Sequence, residues 1–257
     1  MNKDQILTAY WTITRKECVR FLRIWKQTLL PSVVTTGLYY VIFGTFIGSQ
    51  IAPINGHTYM QFIVPGLVMM AVITNAFANV ASSFFGSKFQ RDIEELLIAP
   101  TPNWVIIAGY VTGGVLRGIL VGALVLGVAL FFTKLTVYNW VIVIGFLLLT
   151  SVVFSLAGLF NAAFAKKFDD TMIVPTFVLT PLTYLGGVFY SVHALPTLWQ
   201  TVSKANPVLY MVSGFRYGFL GMADVNVFVS FFLLVTLTVA LLLANLYIFK
   251  KGYGLKS

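Results

Sequence analysis

No Asp, Glu, Lys or Arg occurs between Lys26 and Lys88, and that run decides what the chain can fold into. Further charge-free stretches separate Lys134 from Lys166, Asp170 from Lys204 and Asp224 from Lys250. A helix needs about 20 apolar residues to cross the hydrocarbon core of a bilayer. Such runs therefore predict an all-α, polytopic membrane protein. Charged residues make up only 10% of the 257, too few to coat a soluble domain, which carries roughly 25%. Six spans are predicted, at residues 29–48, 60–82, 104–132, 140–164, 172–190 and 227–249. Pro175 and Pro181 are expected to kink or partly unwind the fifth. No linker divides the chain, so residues 29–257 read as one transmembrane domain.

Residues 1–28 precede that domain. Leu7, Trp11, Thr14, Cys18, Leu22 and Trp25 recur at helical spacing, with Arg15, Lys16, Arg20, Arg23 and Lys26 opposite. Basic residues facing away from Trp and Phe suit an amphipathic helix lying in an anionic membrane interface. A soluble helix packed on a partner is the alternative. No short apolar core followed by a cleavage site appears, so the first span is expected to act as the insertion signal.

Charge distribution sets the orientation. With both termini in the cytoplasm, thirteen of the seventeen Lys and Arg fall on the cytoplasmic side, and only Lys134, Lys204 and Arg216 fall outside. That asymmetry follows the positive-inside rule. The net charge of +9 thus reads as topology and contact with membrane lipids, with no nucleic-acid partner required.

Three segments stand out. The connection after the second span, from Lys88 to Pro102, predicts a short cytoplasmic helix with Phe89, Ile93 and Leu96 on one face and Leu97 beside it. Lys88 with Asp92, and Arg91 with Glu95, are spaced for i, i+4 pairs. The acids Asp92, Glu94 and Glu95 disfavour contact with anionic headgroups and favour docking into a groove on a soluble partner. The stretch 185–223 predicts an external re-entrant helical hairpin. Its first helix carries Trp199; Asn206 caps the second and Pro207 opens it, with Tyr210, Phe215 and Arg216 following. The aromatic content places both helices at headgroup level, and a broken seventh span is the alternative. Arg117 lies inside the third span, within the ladder Gly114, Gly118 and Gly122. Small residues four apart let helix backbones approach closely. An intramembrane cation is costly; Arg117 either joins helices, for instance through carbonyls of the kinked fifth span, or meets an anionic headgroup of cargo.

Chemistry-bearing motifs are missing. A phosphate loop, a catalytic triad, paired carboxylates and a Cys/His metal cluster are not found. Cys18 is the single cysteine. His57 and His193 read as polar loop residues. No acid is predicted inside a span, which weakens a stand-alone proton-coupled secondary transporter. A membrane-embedded lipid-modifying enzyme would need a polar catalytic cluster.

Four motifs carry a family likeness: Phe-Ile-Val-Pro-Gly-Leu-Val-Met-Met at 62–70, Glu-Glu-Leu-Leu-Ile-Ala-Pro at 94–100, Pro-Leu-Thr-Tyr-Leu-Gly-Gly-Val-Phe-Tyr at 181–190, and Asn-Pro-Val-Leu-Tyr-Met-Val-Ser-Gly-Phe-Arg-Tyr-Gly at 206–218. In that order, and end to end, the chain resembles the membrane subunits of ATP-binding-cassette exporters of the type-2 permease family, in its Gram-negative inner-membrane branch, with kinship to nodulation and capsule polysaccharide exporters. The resemblance implies six helices, an exporter function for a hydrophobic or amphiphilic substrate, and a dimer of two permeases bound to two copies of a separate ABC ATPase. It implies that the 89–97 helix couples to that ATPase. No cofactor is expected on this chain, since ATP and Mg2+ would belong to the ATPase. The first, second and fifth spans would line the path.

Overall fold

The computed structural model describes residues 2–54 and 56–254, which are helical with short connections. In chain order the α-helices are α1 (Lys3–Arg23), α2 (Trp25–Thr28), α3 (Leu30–Tyr39), α4 (Tyr59–Phe89), α5 (Asp92–Ile98), α6 (Asn103–Ala129), α7 (Trp140–Phe164), α8 (Asp170–Val174), α9 (Thr180–Leu185), α10 (Thr197–Lys204), α11 (Pro207–Leu220) and α12 (Val227–Lys251). A π-helical segment, Tyr40–Ile47, and a 3₁₀ turn extend α3, so Trp25–Gln50 forms one long helical rod. Among the described residues no β-strand occurs beyond an isolated bridge between Ile54 and His57.

Among the described residues, five helices are long and apolar enough to cross a membrane: Trp25–Gln50, Tyr59–Phe89, Asn103–Ala129, Trp140–Phe164 and Val227–Lys251. The fifth predicted span takes another form. Pro175 and Pro181 lack the N–H that an α-helix needs and crowd the preceding turn. Residues 175–179 answer with a π turn between α8 and α9. The Pro175 carbonyl accepts both the Thr180 N–H, which closes the π turn, and the Thr180 hydroxyl at 3.0 Å. The helical stretch 170–185 is about 24 Å long at 1.5 Å per residue, short of the roughly 30 Å core. Gly186 and Gly187 end it, Gly187 with φ +72°.

Polar residues set the helix starts. Thr58 and Gln61 form a capping box on α4, while Asn139, Asn206 and Asn226 cap α7, α11 and α12 by accepting from backbone N–H groups. Each supplies an acceptor to otherwise unpaired donors. The core sits around α4. Of its apolar window 83% is buried, against 11% for both Trp25–Gln50 and α12. The central helix is thus wrapped by α1, α6, α7 and α11, and the two peripheral rods keep broad apolar faces open.

The glycine ladder predicted on α6 forms that wrapping. A Cβ at Gly114 would overlap Ser155 of α7 and Val80 of α4; at Gly118 it would lie 3.1 Å from Ser151 Oγ and 3.3 Å from the Ala76 Cβ. At Gly122 it would lie 2.9 Å from Val72 Cγ2. Only glycine lets α6 sit so close to both partners.

Candidate functional site: a docking helix, a polar seam and a groove

Arg91 breaks the chain out of α4. Its φ of +65° is the one left-handed value among described non-glycine residues, and it turns the backbone into the short helix α5. Asp92, Glu94 and Glu95 occupy the first turn of α5, where the helix dipole favours negative charge. The helix predicted around Phe89 is corrected here. Phe89 is the last residue of α4, and Ile93 faces the bundle at 1% exposure, packed with Phe85 and Ile106. Leu96 leans on the same cluster. The side chain of Leu97 lies outside the described residues. Ile98, at 84% exposure, and Phe89, at 76%, are the apolar groups presented outward. Because Arg91 interrupts the helix, the two i, i+4 pairs do not form. Lys88 Nζ instead donates to the carbonyls of Ala163 and Ala165 at the end of α7, both at 2.9 Å. Asp92 meets Lys16 of α1 at 3.9 Å, an exposed pair of the kind worth about 0–1 kcal/mol.

Behind α5 runs a row of polar side chains that the sequence reading did not single out. Asn75, Asn79, Ser83 and Ser87 stand four residues apart along α4, all buried, and each is met by a group from α1, α3 or α6. The Ser87 hydroxyl accepts from Tyr110 at 3.0 Å and from Lys16 at 3.5 Å. Ser83 donates to Glu17 Oε1 at 2.5 Å. Arg20 donates to Glu17 Oε2 at 3.3 Å and to the carbonyl and Oδ1 of Asn79, both at 2.9 Å. Arg117 donates to Asn75 Oδ1 at 3.0 Å and to the Thr28 carbonyl at 3.1 Å. Glu17 is fully buried, and burial pushes its carboxyl above the ordinary value of 4.5, against the opposing pull of Arg20.

These contacts revise two expectations. The carbonyl partner of Arg117 comes from α2, not from the kinked fifth span. Secondly, α1 packs one edge into the bundle. Ile13 sits over Gly109 and Glu17 over Gly113, while Leu7, Trp11, Leu22 and Trp25 stay exposed. The outer row carries most of the apolar face read from the sequence, although Thr14 of that face is buried; Glu17 gave no period signal because it is one acid among basic neighbours.

At its inner end the seam opens on a groove of about 240 Å3 between α3 and α4, lined in part by Ser32, Thr35, Thr36, Tyr39, Thr74 and Asn75. A larger crevice of about 900 Å3 between α7 and α12 is walled by Phe228, Phe231 and Phe232. Its carboxylate, Asp224, is already engaged. Arg216 Nη1 donates to Asp224 at 3.0 Å, and Arg216 also reaches the carbonyls of Phe62 and Gly187 at 3.2 and 2.6 Å. Its guanidinium carbon lies 3.8 Å from the Phe62 ring centroid. Ser191 closes the cluster by donating to Asp224 at 2.5 Å.

Comparison with protein-family models matches residues 8–220 to the ABC-2 type transporter description. The chain belongs to the ABC-2 type transporter family. It is 60% identical over 256 residues to the inner membrane transport permease YadH of Escherichia coli strain K12, covering 98% of this chain and all of that protein. It is 24% identical over 211 residues to nodulation protein J of Rhizobium leguminosarum bv. viciae, covering 79% and 80% of the two chains. This ABC-2 chain is accordingly a transport permease subunit, multi-pass in the inner membrane.

In the ABC-2 chain the predicted hairpin residues divide between surface and core. Trp199 on α10 is half-exposed, whereas Phe215 and Arg216 on α11 are buried. Asn206 caps α11 and donates to the Leu182 carbonyl at 2.6 Å, and Tyr210 donates to the Lys204 carbonyl at 2.8 Å. The aromatic content of α11 therefore fills the bundle against α4, α7 and α12, and only α10 keeps an aromatic exposed as headgroup contact requires. At about 21 Å, α11 is too short to span.

Proposed function

We propose that this permease is the membrane half of an ATP-driven exporter, working as a dimer with two copies of a separate ABC ATPase, which carry ATP and Mg2+. The observation behind the reading is α5. Glu94, Glu95 and Ile98 are offered outward, while Ile93, Leu96 and the Lys16–Asp92 contact hold its other side to the bundle. A helix anchored on one side and displayed on the other suits a groove on a soluble partner. Both termini and α5 then lie in the cytoplasm. Residues 170–190 make the sixth crossing, shortened by the π turn, and α10 with α11 form the re-entrant hairpin on the outer side. A hydrophobic or amphiphilic cargo moves outward along the face that Trp25–Gln50, α4 and the 170–190 segment share. A second copy and membrane lipids cover the open apolar faces.

The nodulation relatives support the family, and the cargo stays a chemical class. Coexpression of the permease with candidate ATPases, followed by copurification and ATP turnover in vesicles, tests the reading. Glu94→Lys with Glu95→Lys should lose the complex while the permease still folds, since both acids are exposed. Full complex formation and turnover in that variant would remove α5 as the docking element.

A further inference from the structure

The seam ends on a hydroxyl whose proton is still free to give, with a cation and no carboxylate behind it, and this polarity says something about cargo. An arginine guanidinium only donates, so the oxygen of Asn75 must face Arg117 and its amide nitrogen must face the other way. That nitrogen donates to Ser32 Oγ at 2.8 Å and to the Ala71 carbonyl at 2.9 Å. Ser32 Oγ therefore spends a lone pair on Asn75, and among the described residues its own proton has no acceptor. Ser32 is half-buried on the groove wall. The order Arg117, Asn75, Ser32 is a relay of donors that ends on a groove-lining hydroxyl free to donate to whatever occupies the groove.

Charge points the same way. Arg117 is 8% exposed, and among the described residues it has no carboxylate partner. The neighbouring Arg20 is matched by Glu17. No carboxylate lines the groove. Asn75 stands near the middle of α4, where unpaired donors and charge are costly. A net positive field in a low-dielectric wall acts strongly on any charge entering beside it. The volume of about 240 Å3 falls below the roughly 300 Å3 at which pockets for whole small molecules begin. It has the scale of a headgroup, with the apolar face outside left for a tail.

We propose that the groove between α3 and α4 receives the oxyanion headgroup, phosphate or carboxylate, of a tailed amphiphile, with Ser32 donating to it and Asn75 and Arg117 fixing that donor. The inference takes the groove as part of the cargo path of the exporter proposed above. Cationic amphiphiles are disfavoured there by the unpaired charge of Arg117.

The full-length permease in nanodiscs of zwitterionic lipid provides the test, with three fluorescent alkyl probes of one tail length: an alkyl phosphate, an alkyl glucoside and an alkyl trimethylammonium. The phosphate probe should bind about tenfold or more tighter than the trimethylammonium, the size of one charged hydrogen bond. Ser32→Ala removes one half-buried atom and should erase most of that preference, while Ser32→Thr should restore it. Equal binding of the two charged probes, or a preference that survives Ser32→Ala, overturns the proposal. Displacement of the alkyl phosphate by equimolar inorganic phosphate would instead identify a free-anion site and overturn the tailed assignment. Binding here needs no ATPase. Lost ATP-driven export with the probe preference intact would sink the exporter reading alone, and the converse would sink this inference alone.

Discussion

Glu17 of α1 accepts a hydrogen bond from Ser83 of α4 at 2.5 Å, with no exposure to solvent. An N-terminal helix that rested on the membrane surface would have no such group at its centre. The contact makes α1 part of the bundle, and it makes the docking of α1 sensitive to protonation.

The sign of that sensitivity follows from burial. The Glu17 carboxyl is raised above 4.5, first by desolvation and with Arg20, Ser83 and Lys16 opposing. The folded state therefore holds its proton more tightly than the unfolded chain. Its contribution to stability is fully present below the unfolded value and is lost as pH rises through the raised folded value. Melting of the purified permease in detergent should shift upward on acidification from neutral pH toward 4.5, and Glu17→Gln should flatten that part of the profile.

Gly113 is where α6 admits Glu17. A Cβ there would overlap the Glu17 side chain, so Gly113→Leu should cost about 1–3 kcal/mol through overpacking. Hydrogen exchange is expected to accelerate along α1 and to stay slow in α4 and α7. Unchanged protection of α1 would contradict the packing.

Arg117 and Asn75 should couple energetically. Removing Arg117 strips the buried Asn75 oxygen of its donor, and removing Asn75 leaves Arg117 with the Thr28 carbonyl alone. A double-mutant cycle with Arg117→Met and Asn75→Leu, read from denaturation in detergent, should return about 1–2 kcal/mol of interaction. A coupling near zero would mean that the pair contributes nothing beyond its separate members.

Arg216 and Asp224 form a second buried pair, exposed by only 1% and 6% at their side chains. Breaking such a pair from one side costs about 3–5 kcal/mol, and replacing both members by apolar groups can recover much of it. Asp224→Leu should therefore destabilise the permease more than the double variant Asp224→Leu with Arg216→Met. Thermal melting of both, side by side, checks the order.

The two ends of the bundle should label from opposite sides. In a Cys18→Ser background, Trp199→Cys on α10 should react with a membrane-impermeant maleimide in intact cells with a permeable outer membrane. Ile98→Cys on α5 should react only after the inner membrane is opened. The reverse pattern would invert the topology.

Much of this fold was legible in the sequence, for physical reasons. The apolar runs, the Asn206 cap with Pro207 behind it, the glycine ladder 114, 118 and 122, and the Pro175 and Pro181 disruption each depend on local chemistry. The polar seam was not legible, because Asn75, Asn79, Ser83 and Ser87 are uncharged, and in a sequence buried serines look like any small residue at a helix interface. Glu17 was masked by the five basic residues around it. Arg216 read as an external cation on the second hairpin helix, with no sign of burial, because its partner Asp224 lies beyond that helix. The phase of α5 was misjudged at Arg91, whose left-handed backbone no side-chain periodicity reports. The seam, Glu17 and Arg216 share a cause, a partner supplied by another element; the phase of α5 is a local backbone matter.

Crosslinking from α5 tests most directly whether an ATPase sits at this end of the permease. A photoreactive residue at Ile98, exposed and apolar, should form a covalent adduct with the coexpressed ATPase, and the same probe at Trp199 should form none. An ATPase adduct from position 199, or none from position 98 in a complex that turns over ATP, would contradict the assignment of α5.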